Sequence, residues 1–428
     1  MQVKLAFGKT GLILKLPAGP LYSILESRSA DPLPDTSAAL EEALEHPIGC
    51  PALREMARGK RTAAISVCDI TRPAPNATTL PPLLRHLHEG GLKAEDIVIL
   101  IATGLHRPAT PEEIKIIVGD EIASRYRVVN HYAKDRTAHR HLGQTPRNTP
   151  VYIDERFIAA DLHITFGFIE QHLMLGFSGG RKLVAPGLAA QETIKVLHSP
   201  RFMREPAAIE GSIADNPLHN ELLEIARMAR HDFMLDVALT REREIAGVFA
   251  GEPVRAHSAG VAFVSQSLLE TIPEPVDGVI TSAAGYPLDL TFYQTIKGVT
   301  AAQHIVKPGG QILVMGECLE GIGAPEFAGK LLHLTSYENY LDQLAGTPEV
   351  TVDQWQLEKL ALAGLSHRIT FYTPGLPTAG RGGLASTIFD TPDAALSDFF
   401  SRLPHQARVA IIPDGPYVYA RVEAPVTA

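Results

Sequence analysis

The chain predicts an α/β fold: two α/β domains with mostly parallel sheets and an active-site cleft between them. Three observations carry that expectation. Short apolar runs alternate with longer helical patterns along most of the chain. The runs are apolar at consecutive positions rather than at every second one, as in strands covered on both faces. Polar clusters follow directly behind several runs, where parallel sheets bind their ligands.

Residues 62–67, 97–102, 162–166 and 233–239 read as buried strands. Residues 80–88 and 221–230 read as the helices between them. A second set follows, with a strand at 278–282, a helix near 293–306 and a strand at 311–315. Lys307-Pro308-Gly309-Gly310 reads as the turn before that last strand. Ile272-Pro273-Glu274-Pro275 interrupts an apolar helix pattern and marks a boundary. The expected division is therefore a cofactor-binding α/β domain at 1–271 and a C-terminal α/β domain at 272–405. The segment 406–428, with a strand at 409–412, is expected to return to the N-terminal domain. Arg381-Gly382-Gly383 reads as a flexible turn.

Composition narrows the function. The chain has 428 residues, 45% hydrophobic and 20% charged, enough to bury sizeable cores without staples. A net charge of −9 and 6% aromatics argue against nucleic acid as a partner. Cys50, Cys68 and Cys318 are scattered and form no CxxC pair, so a disulfide framework or structural zinc is not expected. Few thiols fit a reducing cytoplasm, and the N-terminus is broken by glycine and charge too early for a signal peptide. No apolar run approaches the length of a membrane span.

The chemistry concentrates around Ser178-Gly179-Gly180-Arg181-Lys182, flanked by His172 and His198. A glycine loop can bring backbone N–H groups close to a phosphate, so Ser178, Gly179 and Gly180 are candidate cofactor contacts. The loop lacks Walker A spacing. Lys182 can serve as a point charge or as a nucleophilic amine. The histidines can be metal ligands or proton carriers, and His198 at a helix end can equally be a favourable dipole partner. Asp69-Ile70-Thr71-Arg72-Pro73 follows the first predicted strand. Asp69 suits a ribose or pyridine substituent and Arg72 a carboxylate or hydroxyl; the plainer alternative is an ion pair fixing the turn. His106, behind the next strand, is a candidate acid/base, as is His172. Tyr293, Gln294 and Lys297 share a predicted helix, with Gln294 and Lys297 on one face, able to grip a small carboxylate or simply to face solvent. Trp355, the only tryptophan, reads as core.

The order and spacing of these motifs resemble the nickel-dependent lactate racemase family of 2-hydroxyacid racemases and epimerases. The resemblance runs through Asp69 to Pro73, Gly104-Leu105-His106, His172 to Lys182, His198, Tyr293 to Lys297 and Asp353-Gln354-Trp355. It implies a nickel-pincer nucleotide, pyridinium-3-thioamide-5-thiocarboxylic acid mononucleotide nickel, joined covalently to Lys182. It implies His198 as the nickel ligand and His106 and His172 as paired catalytic bases. Arg72, Tyr293, Gln294 and Lys297 then bind substrate, and Asp69 and Trp355 belong to the cofactor pocket. The implied partners are a small 2-hydroxycarboxylate and the proteins that make and supply the cofactor. Two other readings stand beside it: a divalent-metal hydrolase with His106, His172 and His198 as ligands, and a non-catalytic cofactor or metabolite carrier.

Overall fold

The computed structural model describes residues 1–26, 28, 30–346 and 350–423. The chain forms two compact units. One is Ser29–Ser267; the other joins Met1–Arg28 to Leu268–Ala428.

The Ser29–Ser267 unit is built on a six-stranded sheet: β1 (Ala63–Cys68), β2 (Ile97–Ala102), β3 (Arg127–Asn130), β4 (Leu162–Phe168), β5 (Phe233–Leu239) and β6 (Ile245–Gly251). The spatial order is β6-β5-β4-β1-β2-β3. Neighbours from β5 to β3 run parallel, and β6 returns antiparallel on the edge. Every residue of β1 and β4 is buried, which explains why both are mostly apolar on both faces. Helices α1 (Asn76–Glu89), α2 (Gln191–Leu197), α3 (Pro217–Met228) and α4 (Pro253–Leu268) belong to this part of the chain. Leu80, Leu83, Leu84 and Leu87 of α1 pack with Ile65, Val67, Ile99 and Ile101 of the sheet in one core. Because β1 continues to β2 on one side and β4 to β5 on the other, the carboxyl ends of β1 and β4 flank a topological switch point. Ligands of open α/β sheets bind in that crevice.

The other unit carries β7 (Val276–Ser282), β8 (Val306–Met315), β9 (Arg368–Tyr372), β10 (Thr387–Phe389) and β11 (Arg408–Ile412). Their order is β10-β9-β8-β7-β11, followed by the strand Leu21–Ile24, with every neighbour parallel. Helix α5 (Phe292–Ala302) follows β7 and packs on α6 (Gln354–Ser366).

Several sequence expectations need correction here. Residues 1–28 belong with the C-terminal half. The segment 406–428 does not return to the first unit; its described part stays in the second, and residues 424–428 lie outside the described residues. The reason is that β11 is apolar on both faces. Val409 and Ile411 pack with Leu5 and Phe399, while Ala410 and Ile412 pack with Val279 and Phe292. Only a position between β7 and Leu21–Ile24 covers both. Residues 269–272 form a strand paired with Tyr419–Val422, rather than ending a helix. Lys307 to Gly310 lie inside β8 at a register shift opposite Val276 and Gly278, not in a separate turn.

The second sheet has its own switch point, between β7 and β11, and the chain fills it. Ala6 N–H donates to Pro413 O at 2.9 Å, Tyr286 N–H to Gly8 O at 2.9 Å, and Gly8 N–H to Asp289 Oδ2 at 2.7 Å. Among the described residues, no helix is long and apolar enough to cross a membrane.

Candidate active site

The chain leaves β1 through Asp69 and β2 through Thr103 to His106. Asp69 is 5% exposed, and its Oδ2 lies 2.7 Å from Nδ1 of half-exposed His106. Thr71 Oγ1 donates to Asp69 Oδ1 at 2.7 Å. An ionised carboxylate only accepts, so His106 Nδ1 carries the hydrogen and Nε2 is the basic nitrogen. Burial alone would raise the Asp69 pKa. The hydrogen bonds from His106 and Thr71 and the charges of His106 and Arg72 outweigh it and hold Asp69 below its ordinary value. The His106 backbone is tied down too: its N–H donates to Thr103 O at 2.8 Å, and Gly104 N–H to Gly187 O at 3.0 Å. Asp69, assigned from sequence to the cofactor pocket, thus has a direct hold on a candidate base.

Beyond β4, Gln171–His172 pairs antiparallel with Gly176–Phe177 in a short hairpin. Gly176 has φ +73°, and a Cβ there would sit 2.1 Å from Ser212 O, so only glycine fits. The loop Ser178-Gly179-Gly180 comes next, and the N–H groups of Ser178 and Gly180 bond within the protein. Ser178 N–H donates to Glu170 O at 2.8 Å, Ser178 Oγ to Phe168 O at 2.9 Å, and Gly180 N–H to Asp236 Oδ2 at 2.7 Å. These groups close on protein. Gly179 is glycine because φ is +85° and a Cβ would lie 2.3 Å from Asp236 Oδ2. The loop's task is to shape the turn Gly180–Leu183, which presents Lys182.

His172, Lys182 and His198 line one pocket of about 30 Å³, with Met174, Leu175, Pro186, Leu197, Leu218 and Leu222. His198 caps the C-terminus of α2, and its Nδ1 donates to Ile194 O at 2.8 Å. Burial drives its pKa down to about 4, helped by the Lys182 charge and opposed by the Ile194 carbonyl. The ring is therefore neutral near pH 7, with the lone pair on Nε2, the form that binds a metal. Cys68 is the last residue of β1, directly before Asp69. Its buried thiol is pushed up to about 12 by burial and by Asp236 and Asp69, against the charges of Arg72 and Lys182. Among the described residues, no three His, Cys, Asp or Glu side chains gather to hold a metal ion. The set His106, His172 and His198 is thus not a hydrolase-type ligand cluster. One neutral imidazole suits a metal whose remaining donors come from a cofactor.

Tyr293, Gln294, Lys297 and Trp355 lie in the other unit. Thr291 caps α5 by accepting the Gln294 N–H at 3.4 Å, and Gln294 and Lys297, both partly exposed, are one turn apart. Gln356 Nε2 donates to Tyr293 O at 2.9 Å, fastening the start of α6, where Trp355 sits 8% exposed, to the start of α5.

Sequence reasoning missed Asp236, Arg181 as a buried group, and Asn216. Asp236 had a signal: a lone carboxylate in the otherwise apolar run of β5. A charge inside a fully buried strand needs a partner, and its partner is the lysine loop. Asn216 caps α3 and donates from Nδ2 to Met174 O at 3.0 Å, steadying the His172 hairpin.

Similarity to known proteins runs along nearly the whole chain. Residues 7–211 match the lactate racemase N-terminal domain model, and residues 272–419 the lactate racemase C-terminal domain model. A lactate racemase of Lactiplantibacillus plantarum is 37% identical over 383 residues, covering 88% of this chain and 89% of that protein. A lactate racemase of Thermoanaerobacterium thermosaccharolyticum is 32% identical over 428 residues, covering 98% and 99%. The structure of the lactate racemase apoprotein from the latter organism superposes with a TM-score of 0.92 at 31% identity, covering 98% of this chain and 100% of that one. A crystal structure of a Thermotoga maritima protein shares the fold at a TM-score of 0.67 and 20% identity, covering 92% and 100%. With both domain models matched and relatives above 30% identity along nearly its whole length, the chain belongs to the lactate racemase family of isomerases.

Proposed function

We propose that this chain interconverts the enantiomers of a small 2-hydroxy acid, lactate or a close relative, using the nickel-pincer nucleotide. The observation that supports this best is one pocket lined by Lys182, His172 and a neutral His198 with its Nδ1 already committed. Lys182 would hold the cofactor covalently, and His198 Nε2 would hold its nickel, in line with nickel's preference for tetragonal nitrogen and sulfur donors. When bound, that group supplies a hydride acceptor and donor, so that C2 passes through a planar 2-keto acid instead of a carbanion beside a carboxylate.

The chain's own residues supply the proton chemistry. His106, with Nδ1 held by Asp69, presents Nε2 as base to the hydroxyl of one enantiomer. His172 serves the other. General-base help of this kind is typically worth about 10²–10⁴ in rate. On the family resemblance, Arg72, Tyr293, Gln294 and Lys297 are the candidate contacts for the substrate's carboxylate and hydroxyl, and Trp355 is a candidate cofactor contact. The reading carries with it a cytoplasmic enzyme dependent on proteins that make and deliver the nucleotide.

The test is to co-produce the chain with a cofactor-supplying pathway and offer single enantiomers of lactate and other 2-hydroxy acids. Inversion followed by chiral chromatography supports the proposal; none across the panel overturns it, and a retained adduct without turnover marks a carrier. Lys182→Ala should lose the nucleotide-sized adduct by intact mass. Equal adducts in variant and parent would remove Lys182 as the tether.

A further inference from the structure

Arg181 precedes the tethering lysine yet points away from solvent: it is 2% exposed. Its Nη2 donates to Leu175 O at 3.1 Å and Phe177 O at 2.9 Å, both beside His172 in the hairpin region. Its Nη1 reaches Ser178 O at 3.4 Å and Gly179 O at 3.3 Å, in the loop that leads to Lys182, and lies 2.7 Å from His257 Nε2, which itself sits 2.8 Å from Ser178 O. Burial, reinforced by the Arg181 charge, holds His257 well below its ordinary pKa against the pull of the Ser178 carbonyl, so the ring beside the guanidinium is neutral.

Burying a guanidinium is an expensive way to fill space, and an apolar side chain of similar volume often stabilises as well or better. What an apolar chain lacks is a rigid planar fork of donors. Here that fork refers the His172 hairpin and the Lys182 loop to a single group. We propose that Arg181 is a positioning residue, setting the placement of His172 relative to Lys182 and His198. The inference rests on the reading above and deepens it; Arg181 itself acts through those residues.

The experiment compares the parent with Arg181→Lys, which keeps the charge and loses the fork, and His257→Gln, which loosens one contact of the fork. Circular dichroism and melting establish folding, and intact mass gives the loaded fraction. In Arg181→Lys, kcat per loaded site should fall about 10- to 100-fold, as expected when a catalytic group is displaced, with KM within about threefold. In protein without cofactor, the ¹⁵N ring resonances of His172 should shift. His257→Gln should move the same quantities less far in the same direction, and it carries the test if Arg181→Lys does not fold. A folded variant with parental kcat per loaded site and parental His172 resonances, changed only in melting temperature, overturns the proposal. An inactive parent instead overturns the racemase reading, and the resonances still judge Arg181.

Discussion

Gly179→Ala should damage the lysine loop by an amount the geometry sets. Gly179 sits at φ +85° and ψ 173°, a region almost confined to glycine, where an L-residue costs about 1–3 kcal/mol. The new Cβ would also lie 2.3 Å from Asp236 Oδ2 and 3.1 Å from Ile169 Cγ1. Asp236 Oδ2 is the acceptor for Gly180 N–H at 2.7 Å, so moving it aside unpairs buried polar groups, at about 1–3 kcal/mol. The sum is about 2–6 kcal/mol, a large part of the 5–15 typical of a folded protein. Gly59→Ala serves as a reference positive-φ glycine without a steric neighbour. Gly59 has φ +74° with nothing within 4 Å of a Cβ, so its substitution should cost about 1–2 kcal/mol, with no steric part. Urea unfolding of both variants gives the difference, and intact mass of co-produced protein shows whether Gly179→Ala also loses the adduct at Lys182. If Gly179→Ala destabilises no more than Gly59→Ala, the contact with Asp236 does not shape this loop.

Burial pushes Asp236 up to about 7, against the Gly180 N–H bond, the Arg181 charge and the Gly167 N–H. Because the folded pKa lies above the unfolded value, the folded state holds the extra proton between about pH 4 and 7, and stability falls as pH rises through that window, by up to about 4 kcal/mol. Asp236→Asn should flatten this dependence; parallel urea midpoints for parent and variant from about pH 5 to pH 8 would refute it. Asp69→Asn should remove the carboxylate that orients His106 and lower kcat by about 10²–10³ with little change in KM, whereas unchanged turnover would leave the pair without a role. His198→Ala should abolish nickel in the purified enzyme while the organic adduct on Lys182 persists, measured by metal analysis beside intact mass. Parental nickel content would exclude His198 as the ligand.

Much of the fold was readable because buried parallel strands announce themselves locally. The runs at 97–102 and 233–239 coincide with β2 and β5, since a strand covered on both faces is apolar at consecutive positions. Residues just behind such runs, Asp69 and His106 among them, could be placed at a ligand-binding rim from the same logic. Their hydrogen bond could not, because it joins residues on two different strand ends. The glycine loop shows the other limit. Two adjacent glycines suggested close approach by an anion, but the group that approaches closely is Asp236, supplied by a strand more than fifty residues further on.

Sequence alone therefore determined the kinds of element, the family and the candidate chemistry of individual side chains, because those depend on residue type and short-range periodicity. Tertiary structure alone decided the order β6-β5-β4-β1-β2-β3, the placement of the N-terminal segment and β11 in the second sheet, and the assembly of His172, Lys182 and His198 around one pocket. Those outcomes depend on which apolar faces cover one another across long stretches of chain, and no local pattern encodes that choice.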